Sequence, residues 1–81
     1  METSEEKKFL IVEAAKKELA GKYPIIDVDG VRVLYEDGWG LIRASNTQPV
    51  LVLRFEAQTP VRLQAIQTEI EEILRTIQEL I

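Results

Sequence analysis

Apolar residues repeat with two different periods along the chain, and the switches between them divide it into three stretches. From Thr3 to Ala20 the period is helical: Phe9, Val12, Ala15 and Leu19 recur at three- and four-residue steps, with lysines and glutamates on the other face. Thr3 and Glu6 are spaced as a capping box at its start. Gly21 stands where a left-handed cap commonly ends a helix, and Pro24 follows where a helix could not continue. The pattern therefore predicts a first helix over 3–20.

From Ile25 the period falls to two. A two-residue turn at Asp29-Gly30 pairs Val28 with Val31 and puts Ile26, Val28, Val31, Val33 and Tyr35 on one face of a hairpin. A second turn at Glu36-Asp37-Gly38 leads into a strand from Trp39 to Ala44. The pattern leaves open whether that turn holds two residues or three, and so whether Ile42 or Leu41 faces the core. A last strand over 50–57 places Leu51, Leu53 and Phe55 toward the helices and Val50, Val52, Arg54 and Glu56 away from them.

Thr59 as N-cap and Pro60 at the first helical position then open a second helix, along which Leu63, Ile66, Ile70, Ile73, Ile77 and Leu80 recur at helical spacing. The order helix, four strands, helix, joined by short turns, predicts an α+β domain: a four-stranded antiparallel sheet with two helices packed on one face. At 81 residues there is room for one domain, spanning 1–81, with no repeat or interdomain linker.

Composition narrows the chemistry. With 46% hydrophobic and 30% charged residues the chain lies outside the range of disordered sequences. The net charge is −4 and no segment carries a basic stripe, so nucleic acid and anionic membranes are not expected partners. The absence of cysteine and histidine removes disulfides, thiolate nucleophiles, imidazole acid-base catalysis and His/Cys metal sites. The opening METSEEKK has no signal-peptide core, and no apolar run could span a bilayer, which points to a cytoplasmic setting.

The chemically informative stretch is GWGLIRASNTQPVLVLRFEA, from Gly38 to Ala57. A strand delivers Arg43 to its end, and the loop that follows offers the hydroxyls of Ser45 and Thr47, the amide of Asn46 and several backbone N–H groups. A phosphate monoester is bound by this set of donors: a planar guanidinium gives two parallel bonds, and hydroxyl, amide and backbone donors meet the remaining lone pairs. Pro49 stiffens the exit of the loop. Turn statistics alone also accommodate Ser-Asn-Thr-Gln-Pro as a plain connection.

RASNTQP, with DGWGLI before it and VLVLRFEA after it, resembles the last domain of the alpha-D-phosphohexomutases of the phosphomannomutase/phosphoglucomutase group. The likeness runs from about Asp29 through Ala57. It implies a loop that holds the non-reacting phosphate of a hexose phosphate while the full enzyme moves a phosphoryl group between positions 1 and 6. Carried across by motif position, the phosphate contacts would be Arg43, Ser45, Asn46 and Thr47. The family's phosphoserine, its metal-binding aspartate loop and its sugar-recognition loop have no counterpart here. The resemblance thus implies no catalytic residue and no cofactor in this chain, Mg2+ in the full-length enzyme, and two partners: a phosphosugar, gripped by its phosphate, and the enzyme's remaining domains.

Other features are weaker. Asp27 and Asp29 resemble a metal-binding pair, but alternate positions leading into an Asp-Gly turn account for them without a metal. Arg54 could add positive potential near the loop or pair with Glu56. The alternative function is a noncatalytic protein-protein interaction module presenting Ile77, Leu80 and Ile81.

Overall fold

The computed structural model describes all residues from Met1 to Ile81. Its elements run α1 (Lys8–Ala20), β1 (Ile25–Ile26), β2 (Val31–Tyr35), β3 (Gly38–Ala44), β4 (Leu51–Ala57) and α2 (Pro60–Leu80). The four strands form one antiparallel meander in sequence order, each paired with its chain neighbour. α1 packs on β1, β2 and β3, and α2 packs on β3 and β4 beside it. Both helices therefore lie on one face of the sheet, the α+β arrangement that the pattern predicts.

The core lies between helices and sheet. Ile11, Ala15 and Leu19 come from α1, Ile66, Ile70, Leu74 and Ile77 from α2, and Val31, Val33, Ile42, Ala44 and Leu51 from the strands. At Gly40 the helices approach the sheet so closely that a Cβ would meet the Ile70 side chain and lie 3.3 Å from the Phe55 ring. Thr59 caps α2 as predicted, its hydroxyl accepting from Arg62 N at 3.2 Å, with Pro60 in the first turn. Leu80, placed on the apolar stripe by spacing, is 81% exposed, while Leu74 is buried in the core.

Three expectations are corrected. α1 begins at Lys8, not Thr3, and the Thr3/Glu6 capping box does not form. Thr3 N instead donates to Pro49 O at 2.8 Å, Glu2 bridges to Val50, and Ser4 caps the first turn through Lys7 N. An extended start gains strand pairing that a longer helix would forfeit. The buried stripe of α1 is Lys8, Ile11, Ala15 and Leu19, whereas Phe9 is 57% exposed. Gly21 keeps right-handed helical angles (φ −75°, ψ −14°), so no left-handed cap is needed there.

The first hairpin is also shifted by one residue. Ile25 pairs with Val33 and Ile26 with Arg32, so Ile25 turns inward and Val28 is 80% exposed on a longer connection. A one-residue slip exchanges every side chain between faces. In the second hairpin Tyr35 pairs with Gly38 across a two-residue turn, Glu36-Asp37, which resolves the open register: Ile42 is buried and Leu41 faces outward.

Candidate functional site

β3 and β4 form the longest ladder, running from Gly38↔Ala57 to Ala44↔Leu51, and the predicted loop closes its far end. Ser45 N donates to Val50 O at 3.0 Å, and within the loop Ser45 Oγ accepts from Thr47 N (3.3 Å) and Gln48 N (3.2 Å). The hydroxyl thus shapes the loop as acceptor and keeps its own proton free to donate outward. Those bonds consume three of the backbone donors foreseen for a ligand, so that between Ser45 and Gln48 the Asn46 N–H is the one left without a partner. Asn46 and Thr47 are exposed.

Two outside supports hold this loop. The Met1–Thr3 segment runs along its exit, with Thr3 N donating to Pro49 O and Leu51 N to Met1 O at 2.7 Å. From beneath, Lys8 on α1 donates through Nζ to Gln48 O at 3.3 Å and pairs with Glu5 at 2.9 Å. Only 2% of the Lys8 side chain is exposed. The sequence reading missed Lys8, although a signal exists: a lysine in step with Ile11, Ala15 and Leu19 stands where an apolar residue belongs.

Arg43 reaches the site from the strand. It follows buried Ile42 and precedes buried Ala44, so alternation turns it to the face that no helix covers. No ion pair or side-chain hydrogen bond occupies its guanidinium, in contrast to Arg62, which binds Asp37 at 2.6 Å, and Arg75, which binds Glu71. Beside it Gly30 has φ +105°, and a Cβ there would lie 3.2 Å from Arg43 Cα. The turn between β1 and β2 can press this close only through a residue without a side chain.

At the edge of the sheet, where α1 meets the β1–β2 connection, a cleft of about 280 Å3 is lined by Phe9, Val12, Glu13 and Lys16 of the helix together with Asp29, Gly30, Arg43 and Asn46, whereas Ser45 and Thr47 do not line it. Lys16 is held there by Glu13 at 3.1 Å and Asp27 at 3.5 Å; the hydrogen bond and charge of Glu13, then those of Asp27, raise its pKa above the usual lysine value. Asp27 is therefore an ion-pair partner, and nowhere do three or more acidic side chains gather as metal ligands. The Mg2+ implied for the full enzyme does not fit this chain's residues.

The largest cleft, about 880 Å3, lies at the opposite end of the sheet, beside Tyr23, Tyr35, Arg62 and Glu69. Tyr23 and Tyr35 hydroxyls both donate to the Glu69 carboxylate, at 2.9 and 2.8 Å, and Arg62 Nε donates to Asp37. Burial first, and then the bond to Glu69, push the Tyr35 phenol far above its ordinary pKa; for Tyr23 the bond to Glu69 leads. Size does not make this cleft the better site, because its two phenols and the Glu69 carboxylate are bonded to one another.

Residues 1–73 match the sequence profile of the family described as "Phosphoglucomutase/phosphomannomutase, C-terminal domain". The chain belongs to this family. Among relatives of the phosphoglucomutase/phosphomannomutase C-terminal domain, a phosphomannomutase/phosphoglucomutase of Pseudomonas aeruginosa is 49% identical over 75 residues, covering 91% of this chain and 16% of the relative. A phosphoglucomutase of Neisseria meningitidis is 48% identical over 68 residues, covering 84% and 15%. A probable phosphoglucosamine mutase of Methanopyrus kandleri is 36% identical over 76 residues, covering 93% and 17%. The fold is similar to a crystal structure of a phosphoglucomutase/phosphomannomutase family protein from Burkholderia thailandensis, with TM-score 0.63 and 38% identity over 76% of this chain and 15% of that one. This chain thus spans about a sixth of the length of the curated relatives it matches.

Proposed function

We propose that residues 1–81 act as the phosphate-gripping domain of a phosphohexomutase that interconverts hexose 1-phosphate and hexose 6-phosphate. Arg43, Ser45, Asn46 and Thr47 contact the phosphate, while phosphoryl transfer and its magnesium ion belong to other domains. The observation that carries this reading is the unpaired Arg43 guanidinium at the root of a loop whose shape is held from within by Ser45 and from outside by Lys8 and Thr3. Such a frame lowers the ordering cost of binding. Family membership supports the same reading, since the named relatives are mutases of phosphorylated sugars.

An interaction module built on the end of α2 is less well supported. Ile77 belongs to the core, which reduces the exposed apolar cluster to Leu80 and Ile81.

One bidentate arginine contributes about 1.5–3 kcal/mol, against about 4 kcal/mol needed for a millimolar complex, so affinity for the chain alone should be about millimolar or weaker. In a titration followed by amide shifts, glucose 1-phosphate, glucose 6-phosphate and inorganic phosphate should all move residues from Arg43 to Thr47, and glucose should not. Arg43→Ala should abolish the response, and Arg43→Lys should weaken it, because an ammonium lacks the two-pronged geometry. Shifts centred on α2, or a response indifferent to Arg43→Ala, would refute the phosphate assignment.

A further inference from the structure

The uncovered face of the sheet has a charge pattern at odds with the rest of the molecule. The chain carries a net charge of −4, yet alternation along β2, β3 and β4 turns Arg32, Arg43 and Arg54 to this face with Glu56 as their one acidic neighbour on these strands. Ladder register fixes their arrangement. Leu41 pairs with Arg32 on one side and Arg54 on the other, so an arginine flanks it in each neighbouring strand. Arg43 pairs with Val52, which makes Arg54 its diagonal neighbour; on the other side Gly30 lies against Arg43, which makes Arg32 the matching diagonal. Diagonal positions in a sheet are about 7–8 Å apart, within reach of long side chains.

None of the three takes part in an ion pair. The molecule's ion pairs use Lys8, Lys16, Arg62 and Arg75. Glu56, the natural partner for Arg54, instead accepts the Trp39 indole N–H at 3.2 Å. Arg32 lies over the Trp39 ring, 4.7 Å from its centre, which settles the guanidinium plane and leaves its N–H edge available. Three like charges gathered around one leucine repel one another. An anion arriving at this face lowers that repulsion.

We infer that Arg32 and Arg54 are the outer cations of the phosphate site: they draw the dianionic phosphate of a phosphosugar onto the uncovered face and toward Arg43, acting through their field. The inference rests on the proposed role of Arg43 and extends it, because it makes the sheet face, and not the loop alone, the surface that a phosphorylated ligand approaches. A field acting over this distance depends on charge more than on geometry and is weakened by salt. Each cation should contribute about two- to fivefold in affinity at low salt, and much less where the screening length has shrunk to about 8 Å.

The test titrates inorganic phosphate and glucose 6-phosphate into the chain at ionic strengths held, titrant included, at about 0.05 M and about 0.15 M. Variants are Arg32→Gln, Arg54→Gln, the double variant, Arg54→Lys, Arg43→Ala, and Arg75→Gln on the exposed side of α2 as a control of equal charge change. The double variant should weaken binding about tenfold at low salt and flatten the salt dependence, Arg54→Lys should bind as the parent does, and Arg75→Gln should change little. If the double variant binds like the parent while Arg43→Ala abolishes binding, the loop assignment stands and this inference falls. If Arg75→Gln weakens binding as much, net charge explains the effect and the inference likewise falls. If Arg43→Ala binds normally, the phosphate assignment itself has failed.

Discussion

Replacing Lys8 by methionine separates the two halves of a buried lysine, the stem packed in the core and the charged head beneath the loop. With 2% of the side chain exposed, the four methylenes are out of water, and at about 0.8 kcal/mol each their burial is worth up to about 3 kcal/mol. The head donates to Glu5 and to the Gln48 carbonyl, bonds worth about 1.5–3 kcal/mol each for a charged donor. Against that stands the desolvation of an ammonium group, a cost of several kcal/mol, while Glu5, largely exposed, is readily rehydrated once its partner is gone. The two head contributions nearly cancel and the stem dominates. Lys8→Ala should therefore cost about 2–4 kcal/mol and Lys8→Met about 1 kcal/mol or less. Urea unfolding with unchanged m-values measures both. Both variants should also move the amides of Ser45 to Gln48, because the Gln48 carbonyl loses its donor. Should Lys8→Met prove as costly as Lys8→Ala, the head is the larger contributor and the reasoning is wrong.

Gly30→Ala should be severe, since a side chain at φ +105° is strained and its Cβ would press on the backbone of Ile42 and Arg43; at about 2 kcal/mol or more it should lower the melting temperature by about 10 °C, and a shift within error would show that the turn yields freely. At alkaline pH the Tyr23 and Tyr35 phenols, raised in the fold by burial and by Glu69, should contribute stability that is fully present below the free-tyrosine value of about 10 and is lost as pH rises from there. Urea midpoints against pH, with phenolate absorbance, check this; both phenols titrating at the free-tyrosine value, or a Glu69→Gln variant with the parent's alkaline profile, would contradict it.

The sequence reveals topology well and phase poorly, for a common physical reason. Element order, the Thr59-Pro60 start of α2 and the inward face of β4 follow from signals that admit one reading. Around Phe9-Leu10-Ile11-Val12, apolar residues occupy most of the helix circumference, so steps beginning at Phe9 and at Lys8 both reach Ala15 and Leu19; Lys8 wins because its methylenes behave as an apolar residue. Ile25-Ile26 poses the same problem in a strand. Either can face inward, and Asp29-Gly30 reads as a two-residue turn, whereas both residues have positive φ in a longer connection. At the site, motif position singled out Arg43 and the loop. The supports from Lys8 and Thr3 come from residues some forty positions away, and no local pattern encodes such pairing.

The bonds between Met1–Thr3 and Pro49–Leu51 also bear on the order in which the molecule assembles. Each hairpin of the meander joins immediate chain neighbours, so the sheet can zip from local contacts, whereas the opening residues must close a stretch of nearly fifty residues before they reward the chain with a single bond. The extended segment that leads into α1 is then the last to dock. A folding molecule would pass through a stage in which the sheet is complete while the loop after β3 still lacks its outer brace, and the proposed phosphate affinity would be strengthened at the final step.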